Sequence, residues 1–389
     1  MSNNAPEIRF KGFTDAWVQR KFSTIVNRLS TQSNSDHLPK VEFEDIVSGE
    51  GKLNKDISNK FDKRKGIVFE SNNILYGKLR PYLKNWLFAD FRGVALGDFW
   101  VFEANNSSPI FAYYLIQSEK YQEAANLSTG TKMPRSDWKT VSETTFSIPC
   151  ETAEQTSIGN FFRTLDDTIT LYKRKLDGLK ELKKGYLQQM LPQAGENAPR
   201  LRFAGFSELW ERRKLGQLGS VVMNRRIFKE QTSENGEIPF YKIGTFGSEP
   251  DAFISRELFE EYKAKYPYPQ VGDVLISASG SIGRTVEYIG KDEYFQDSNI
   301  VWLEHDERLD NSFLKQFYTV VKWNGLEGST IKRLYNRNIL DTKIFMPQVP
   351  EQTCIGIFFR SLDEQILAQQ NKLDKIKQLK AAYLQKMFI

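Results

Sequence analysis

Histidine and cysteine, which supply most zinc ligands and many catalytic bases and nucleophiles, are scarce in this chain. The 389 residues include only two histidines, His37 and His305, and two cysteines, Cys150 and Cys354. Neither pair is close in the sequence, and none of the four residues lies in a recognisable motif. The sequence therefore gives no basis for a histidine–cysteine zinc site or a histidine-dependent triad. Two isolated cysteines also fit a reducing, cytoplasmic setting.

Long apolar runs and nucleotide-binding loops are missing as well. The sequence has no stretch of about 18 apolar residues that could span a membrane, and residues 1–10 lack the apolar segment of a signal peptide. It contains no Gly-x-x-x-x-Gly-Lys-Ser/Thr loop, which argues against ATPase activity. It also lacks the Asn-Pro-Pro-aromatic and Asp-Pro-Pro-aromatic motifs of amino-methyltransferases. We therefore expect a cytoplasmic protein, not bound to a membrane, that performs neither of these reactions itself.

The overall composition is typical of a globular protein with more than one domain. Hydrophobic residues make up 40% of the chain and charged residues 26%, as in ordinary globular proteins. Because 389 residues exceed the size of one ordinary core, two or more domains are expected. The net charge of +5 permits an acidic partner such as nucleic acid but does not require one.

One stretch of the sequence occurs twice. Residues 151–191 recur at the end of the chain with a constant offset, since Gln155 matches Gln352 and Gln188 matches Gln385 (352 − 155 = 385 − 188 = 197). Apolar residues recur in both copies at steps of three and four, which indicates long amphipathic helices. We predict that the two helices pack against each other. The alternative is two unrelated amphipathic helices, each packed on its own core.

The predicted packing stripe uses equivalent positions in the two copies. Its members are Ile158, Phe161, Leu165, Ile169, Leu176, Leu179, Leu182 and Tyr186 in the first copy, and Ile355, Phe358, Leu362, Ile366, Leu373, Ile376, Leu379 and Tyr383 in the second. Phe162 and Phe359 widen the stripe, which fits a second contact with either a partner protein or a neighbouring domain of this chain. The copies differ where Tyr172 of the first is matched by Gln369.

The repeat extends beyond the helices. A Gly-Phe motif followed by a tryptophan, here named the opening motif, occurs at residues 6–13 and again at 199–206 (199 − 6 = 193). Each half therefore runs from an opening motif through a divergent globular region to a long helix. The predicted organisation is a first domain at 1–150, a helix at 151–191, a linker with helix breakers at 192–198, a second domain at 199–347 and a helix at 348–389.

Strand-like and helix-like patterns are mixed in both globular regions. The predicted equivalent pairs are strands at 73–76 and 273–276, strands at 98–102 and 297–302, and short amphipathic helices near 109–123 and 311–323. Such a mixture indicates an α/β or α+β fold and argues against an all-β sandwich. The order of the strands does not follow from these patterns.

Basic residues occupy matching places in the two globular regions. The candidates for contact with a nucleic acid at these places are Lys78, Arg80, Lys84, Lys132 and Arg135 in the first region, and Arg284, Lys332 and Arg333 in the second. Arg225 and Arg226, in a separate basic run of the second region, are further candidates. Such residues contact phosphates, and arginine also reads guanine; the alternative is ordinary solvated charge. A basic run at 60–65 has the same two interpretations. Tyr82 and Tyr335 lie beside candidates and fit either DNA contact or burial.

These features together resemble the specificity subunits of type I restriction-modification enzymes. The resemblance covers essentially the whole chain and includes both opening motifs and the segment Ile-Leu-Tyr-Gly-Lys-Leu-Arg-Pro-Tyr at 74–82. Its most specific element is Glu-Gln-x-x-Ile-x-x-Phe-Phe-x-x-Leu-Asp at the start of each helix, at 154–166 and 351–363. Two recognition domains divided by two similar long helices are typical of this family.

The resemblance implies a recognition role without catalysis. It implies that each domain reads one half of an asymmetric, bipartite double-stranded DNA site, and that the helices pack antiparallel as a coiled coil and set the spacing. Expected partners are two methyltransferase subunits, which methylate adenine at N6, and motor-nuclease subunits. S-adenosylmethionine, ATP and Mg²⁺ are expected on those partners, with no cofactor bound by this chain. The half-site sequences and spacer length are not deducible from the residues.

One alternative belongs to a different functional class. Asp251, Glu261 and Lys263 have the residue types of a self-contained, metal-dependent nuclease, in which carboxylates and a lysine hold Mg²⁺ and water. The spacing is loose, the first half has no equivalent, and the surroundings look like a charged helix. Incubating the purified chain with DNA and Mg²⁺ separates the two hypotheses, because a recognition subunit leaves the DNA intact.

Overall fold

The computed structural model describes residues 6–60, 63–127, 132–193, 196–323 and 332–389. The chain divides into two compact units, the first formed by residues 1–175 and 369–389 and the second by residues 176–368. Each unit therefore combines one globular region with one end of each long helix. The predicted division into domains and helices describes the order along the chain, whereas the compact units cut across both helices.

The first half of the chain contains twelve strands and five α-helices within the described residues. The strands are β1 (Val18–Lys21), β2 (Val26–Leu29), β3 (Gln32–Ser33), β4 (Lys40–Val41), β5 (Ile46–Val47), β6 (Lys52–Leu53), β7 (Gly66–Phe69), β8 (Ile74–Gly77), β9 (Trp86–Phe88), β10 (Gly93–Ala95), β11 (Phe99–Ala104) and β12 (Thr145–Ile148). The helices are α1 (Phe22–Ile25), α2 (Pro109–Leu115), α3 (Glu119–Asn126), α4 (Trp138–Glu143) and the long α5 (Thr152–Met190).

The second half repeats much of this order. Its strands are β13 (Glu211–Lys214), β14 (Gly219–Val222), β15 (Ile238–Tyr241), β16 (Phe253–Ile254), β17 (Val274–Ser277), β18 (Thr285–Glu287), β19 (Tyr294–Phe295), β20 (Ile300–His305) and β21 (Lys343–Met346). Its helices are α6 (Arg256–Lys265), α7 (Asn311–Val320), α8 (Asn336–Leu340) and the long α9 (Val349–Met387).

The same antiparallel sheet lies at the centre of both units. Its strand order is β2-β11-β8-β9 in the first unit and β14-β20-β17-β18 in the second. The central strands are apolar and buried because helices cover one face of the sheet and a smaller sheet packs near the other. The smaller sheets differ, with the order β3-β7-β10-β4 in the first unit and β16-β15-β19 in the second. The predicted mixed fold with an internal repeat is thereby confirmed.

One predicted helix is divided in the first unit. The sequence pattern indicated a single helix near 109–123, but the structure has α2 and α3 with a break between them. Ser118 caps the start of α3, because its side-chain oxygen accepts a hydrogen bond from the backbone N–H of Tyr121. In the second unit the equivalent segment is the single helix α7.

In the first unit the start of α5 packs against the end of α9. The rings of Phe161 and Tyr383 meet edge to face with centroids 5.0 Å apart. One and a half turns further along α5, Asp166 accepts a hydrogen bond from Lys380 Nζ at 2.7 Å. From the first contact to the second, the residue number rises on α5 and falls on α9. The two helix segments therefore run antiparallel.

The second unit repeats these contacts with the two helices exchanged. Tyr186 meets Phe358 edge to face at 5.0 Å, and Lys183 Nζ donates to Asp363 at 2.6 Å. These residues are the 197-residue equivalents of the pairs in the first unit. On α5 the motif ends at Asp166 and the lysine is Lys183; on α9 they are Asp363 and Lys380. The spacing between aspartate and lysine is the same in both helices, so the two ion pairs fix the same antiparallel register in each unit.

Most of the predicted packing stripe is buried or partly buried, with two departures. Leu182 and Leu379 are 46% and 45% exposed. In each copy, two successive steps of three residues lead to this position, and each such step rotates the side chain by about 60° away from the seam. The Gln369 side chain is buried and donates to the Tyr172 carbonyl at 3.1 Å, so the polar substitution in the second copy has a partner.

The additional phenylalanines of the stripe are covered within their own units. Phe162 is fully buried and packs against Tyr114 and Phe388, with centroids 5.2 and 5.7 Å away. Phe359 is fully buried in the core of the second unit. Of the two interpretations offered by the sequence, packing against the neighbouring globular region is therefore correct for these two residues.

The opening motif is clamped to the start of the long helix in its own unit. Arg9 donates to the two carboxylate oxygens of Glu154 at 2.6 and 2.8 Å, and Trp17 Nε1 donates to the same carboxylate at 3.3 Å. In the second unit Arg202 donates to Glu351 at 2.8 and 2.7 Å. Both carboxylates are almost fully buried, so the glutamate of the helix motif has a structural partner in the opening motif.

A glycine in each helix motif allows close packing, and this leads to a prediction. A Cβ added at Gly159 would lie 2.5 Å from Ile110 Cγ2 and 2.9 Å from backbone atoms of α2. A Cβ at Gly356 would collide with Ser312 of α7. We expect Gly159→Ala and Gly356→Ala to lower the free energy of unfolding by about 1–3 kcal/mol through overpacking.

Two other helix glycines provide the control. A Cβ at Gly178 or Gly185 would meet no atom within 4 Å. Alanine should raise stability there by up to about 1 kcal/mol, since glycine is a poor helix former. Thermal melting of the four full-length variants measures the difference. A rise in Tm for Gly159→Ala like that for Gly178→Ala would show that the close approach imposes no constraint.

Candidate nucleic-acid interface

In the first unit, two segments distant in the sequence bring basic residues together. The chain leaving β8 pairs with the loop before α4 through a bridge between Leu79 and Arg135. The Arg80 N–H donates to the Pro134 carbonyl at 2.8 Å beside it. Lys78, Arg80 and Arg135 therefore lie on neighbouring segments. Together with Lys84 and Lys132 they are here named the first basic surface.

Asp98 sits among these cations. Its carboxylate lies 3.0 Å from an Arg135 nitrogen and 3.7 Å from Lys78 Nζ. Its backbone carbonyl also accepts a hydrogen bond from the Lys78 N–H at 2.9 Å. The carboxylate is partly exposed, so the first basic surface has one acidic group at its centre.

A strained turn carries exposed side chains of the first basic surface. Arg80 and Lys84 have left-handed backbone conformations, with φ of 50° and 54°, and flank a 3₁₀ turn at Pro81–Leu83. Tyr82 in this turn is 53% exposed. Arg80 Nε is buried without a hydrogen-bond partner. Left-handed non-glycine residues carry a conformational cost, and such strain clusters at functional sites.

The second unit has the same bridge at the same place. Ser279 pairs with Arg333, whose guanidinium donates to the backbone carbonyl and hydroxyl of Ser298 at 3.1 and 3.0 Å. Arg226 lies 3.5 Å from the carboxylate of Asp297, the preceding residue. The second basic surface is accordingly defined as Arg226, Lys332 and Arg333, with the 46% exposed Tyr335 near Arg333.

The other candidates contact groups outside the two bridges or form no ion pair with another described residue. Arg284 donates to the Phe246 carbonyl at 2.7 Å, and the Arg225 guanidinium lies 5.2 Å from the centroid of the Tyr266 ring. No contact in the described structure joins these two arginines to Arg333. The remaining candidates, Lys84, Lys132 and Lys332, are exposed, and no ion pair with another described residue is formed by them.

Two cations of the basic run, Lys60 and Arg64, pair with carboxylates of their own unit. Lys60 Nζ lies 2.7 Å from both Glu42 and the buried Asp45. The hydrogen bond from Arg64, followed by the one from Lys60, outweighs burial and lowers the pKa of Glu42. These two cations therefore stabilise the fold locally, which favours the structural interpretation of this run.

The three residues of the alternative nuclease site, Asp251, Glu261 and Lys263, each pair with a different side chain of the protein. Asp251 pairs with Lys242 at 2.9 Å, Glu261 with Lys265 at 2.9 Å, and Lys263 with Asp292 at 3.6 Å. Across the described ranges, no group of three or more acidic, histidine or cysteine residues is arranged to hold a metal ion. The metal-dependent nuclease interpretation is therefore not supported. Within these ranges, no helix has the length and apolarity needed to cross a membrane.

The structure corrects one sequence alignment. The sequence pattern matched Asp98 with Asp297, but Asp98 lies immediately before β11 and Asn299 immediately before β20. Neither Asp98 nor Asn299 was a candidate from the sequence, because an isolated aspartate or asparagine at a strand start carries no distinctive pattern. Only the strand register and the side-chain contacts place them at the basic surfaces.

Comparison with known proteins gives a consistent family. A family model described as type I restriction modification DNA specificity domain matches residues 22–181 and again residues 207–378. A Haemophilus influenzae protein, S.HindORF215P, whose name describes a type I restriction enzyme specificity subunit, is 59% identical over 140 residues. The match covers 36% of this chain and 36% of that protein, so the chain spans about a third of this relative's length.

Two solved structures share the fold. The S subunit of a type I restriction-modification system from M. genitalium superposes with a TM-score of 0.64 at 15% identity, covering 99% of each chain. A chain from a structure describing complex assembly and conformational transition of a type I R-M system gives a TM-score of 0.56 at 19% identity, covering 95% of this chain and 96% of that one. At these identities the likeness concerns the fold alone.

Proposed function

Because this chain belongs to the family of type I restriction modification DNA specificity domains, we propose that it is the subunit that reads the DNA target of such a system. A specificity subunit recognises DNA and performs no catalysis. The observation that carries the proposal is the pair of equivalent bridges, Leu79–Arg135 and Ser279–Arg333, each of which gathers basic side chains just beyond the end of a central strand, β8 or β17. Arginine and lysine in such positions contact phosphates and read bases.

Each unit reads one half of a bipartite double-stranded DNA site. The shared central sheet supports a common mode of binding, and the differences between the two basic surfaces support different half-sites. A site read by two diverged units is asymmetric. The long helices fix the distance between the half-sites, which their 39-residue lengths and repeated antiparallel contacts support.

The helices also bind two methyltransferase subunits. Leu182 and Leu379 are equivalent through the 197-residue offset and are exposed to nearly the same extent, 46% and 45%. Two equivalent apolar positions support two copies of one partner. Those partners bind S-adenosylmethionine and methylate adenine, whereas ATP and Mg²⁺ belong to the motor-nuclease subunits of the full complex. This chain itself binds no cofactor.

Methylome sequencing of the host, with the gene present and deleted, tests the proposal. We expect N6-methyladenine at one asymmetric, gapped motif to disappear on deletion and to return on complementation. A methylome that is unchanged while the chain co-purifies with a methyltransferase would contradict the proposed function.

Charge reversal at the bridges is expected to weaken DNA binding by the assembled complex. Arg135→Glu and Arg333→Glu each remove one cation and place a carboxylate near the phosphates, so we predict about a 10- to 100-fold loss of affinity for the target. The dependence of affinity on salt should also become shallower. Fluorescence anisotropy with labelled target DNA over a salt series measures both quantities.

Two exposed cations provide matched controls for charge reversal. Arg92 pairs with Glu70, and Lys265 pairs with Glu261, outside the two basic surfaces. Arg92→Glu and Lys265→Glu change the net charge by the same amount and should leave the affinity within about twofold, as expected for screened charges at a distance. Equal losses for controls and bridge variants would mean that net charge, and not these surfaces, governs binding.

A further inference from the structure

Strand register identifies equivalent positions in the two units independently of the sequence. On β11, Phe99 lies opposite Gly77, the last residue of β8. On β20, Ile300 lies opposite Ser277, the last residue of β17. Since β8 and β17 occupy the same place in the two sheets, Phe99 and Ile300 are equivalent. The residues immediately before them, where the chain reaches the basic surface, are equivalent as well.

These preceding residues are Asp98 and Asn299. The backbone supports their equivalence, because the residue before each one, Gly97 or Ser298, has a positive φ of 87° or 54°. Each carbonyl also accepts a hydrogen bond from the residue that follows β8 or β17, at 2.9 Å for Asp98 and 2.7 Å for Asn299. The two units thus present a carboxylate and a carboxamide of nearly identical shape at one structural position.

The surroundings of the two side chains differ in charge. Asp98 lies between Lys78 and Arg135 and remains partly exposed. Asn299 Oδ1 accepts a hydrogen bond from the Ser279 hydroxyl at 2.8 Å, and its side chain is also partly exposed. In the first unit the side chain at this position can only accept hydrogen bonds. In the second unit it can both donate and accept them.

A carboxylate at the centre of a DNA-binding surface is unsuited to phosphate contact, because the two negative charges repel. It is suited to an amino group on a base edge. Cytosine presents its amino group alone in the major groove, whereas adenine places an acceptor beside its amino group. A carboxamide matches that adjacent donor and acceptor of adenine.

We propose that Asp98 and Asn299 are the equivalent base-reading positions of the two units, with Asp98 accepting from the amino group of a cytosine and Asn299 pairing with the edge of an adenine. This inference rests on the proposed function. It adds the residue that distinguishes one half-site from the other and the chemical group that each unit recognises. Lys78 and Arg135 hold the Asp98 carboxylate in place and offset its charge against the surrounding phosphates.

Exchanging the two side-chain chemistries tests the inference in the complete system. Asp98→Asn and Asn299→Asp preserve size and shape, and each is introduced into the host gene so that the native methyltransferase partner is present. Methylome sequencing is the readout. We expect Asp98→Asn to relax or change one base pair of one half-site, and Asn299→Asp to do so in the other half-site. The preference for the original base should change by about 10- to 100-fold at that position.

Two matched variants control for the change of charge. Asp90→Asn and Asn235→Asp alter exposed residues away from the two bridges and should leave every position of the motif unchanged. Uniformly lower methylation with the original motif intact in Asp98→Asn and Asn299→Asp would overturn the inference and indicate a role only in positioning Arg135 or Ser279. In that case the wild-type motif would still support the proposed function. Absence of any motif that depends on the wild-type chain would instead contradict the function itself.

Discussion

Lengthening both long helices by seven residues is expected to abolish methylation of the native site and to transfer it to a site with the same half-sites and a longer gap. The insertion duplicates residues 171–177 after Asp177 and residues 368–374 after Asp374, which are equivalent positions. Seven residues add about 10.5 Å to a helix and nearly preserve its apolar face. At about 3.4 Å per base pair, the gap should increase by at most about three base pairs.

The change in gap, and not merely loss of the native motif, is the informative result. Each base pair added to the gap also rotates the second half-site around the DNA axis relative to the first. One helical turn contains about 10–10.5 base pairs, so part of the added length must accommodate rotation of the second half-site. Methylome sequencing reports the half-sites and gap together. Retention of the native gap in a folded, methylating variant would contradict the proposal that the helices set the spacing.

The linker between the halves gives a control with the same number of added residues. Seven glycine and serine residues inserted between the exposed Asn197 and Ala198 lengthen the chain without lengthening either helix. A flexible segment of this kind transmits no fixed distance. We expect the linker variant to methylate the native site with its native gap.

Removing the arginine of an opening-motif clamp is expected to have the largest effect on stability. Arg202→Ala leaves the Glu351 carboxylate, 2% exposed, without its bidentate partner. Removing one partner of a buried ion pair typically costs 3–5 kcal/mol, and the 20% exposure of Arg202 places the expected loss near the lower limit, about 3 kcal/mol. Arg9→Ala should have a similar effect in the first unit, where Glu154 is also 2% exposed. Urea denaturation of the full-length variants measures the loss.

Arg200 provides a close comparison for Arg202. It donates to Glu196 at 2.6 Å, but its side chain is 67% exposed. Exposed ion pairs contribute about 0.2–1 kcal/mol, so Arg200→Ala should have a much smaller effect than Arg202→Ala. The double variant Arg202→Met/Glu351→Met removes both charges and should recover much of the lost stability. Equal losses for Arg200→Ala and Arg202→Ala would show that burial of the carboxylate is unimportant.

The sequence was sufficient for the features that depend on local periodicity and repetition. Steps of three and four residues predicted the two long helices, observed at Thr152–Met190 and Val349–Met387. The constant 197-residue offset predicted the repeat. These predictions succeeded because the apolar residues of an amphipathic helix recur every three or four positions. That spacing is visible in the sequence without knowledge of distant contacts. Leu182 and Leu379 departed from the pattern because two successive steps of three residues carry this position out of the seam, although Tyr186 and Tyr383 beyond them pack again.

Apart from the packing of the two repeated helices, features that depend on contacts between distant segments were beyond the sequence. The strand order of the central sheets pairs strands from separate parts of each region. The clamp between Arg9 and Glu154 joins residues 145 positions apart. Which strands pair depends on how both faces of the sheet are buried against other elements. The sequence of one strand therefore carries little information about which strands lie beside it.

By itself, the sequence determined the repeat, the mixed fold and the resemblance to DNA specificity subunits, because repeated motifs and helical periodicity are written along the chain. Only the tertiary structure decided which basic residues share a surface and that Asp98 is equivalent to Asn299 rather than to Asp297. The physical reason is that a shift in strand register, here of two residues from Asp297 to Asn299, changes which side chains occupy equivalent positions. Backbone hydrogen bonds between distant strands, and not the order of residues, fix that register in both units.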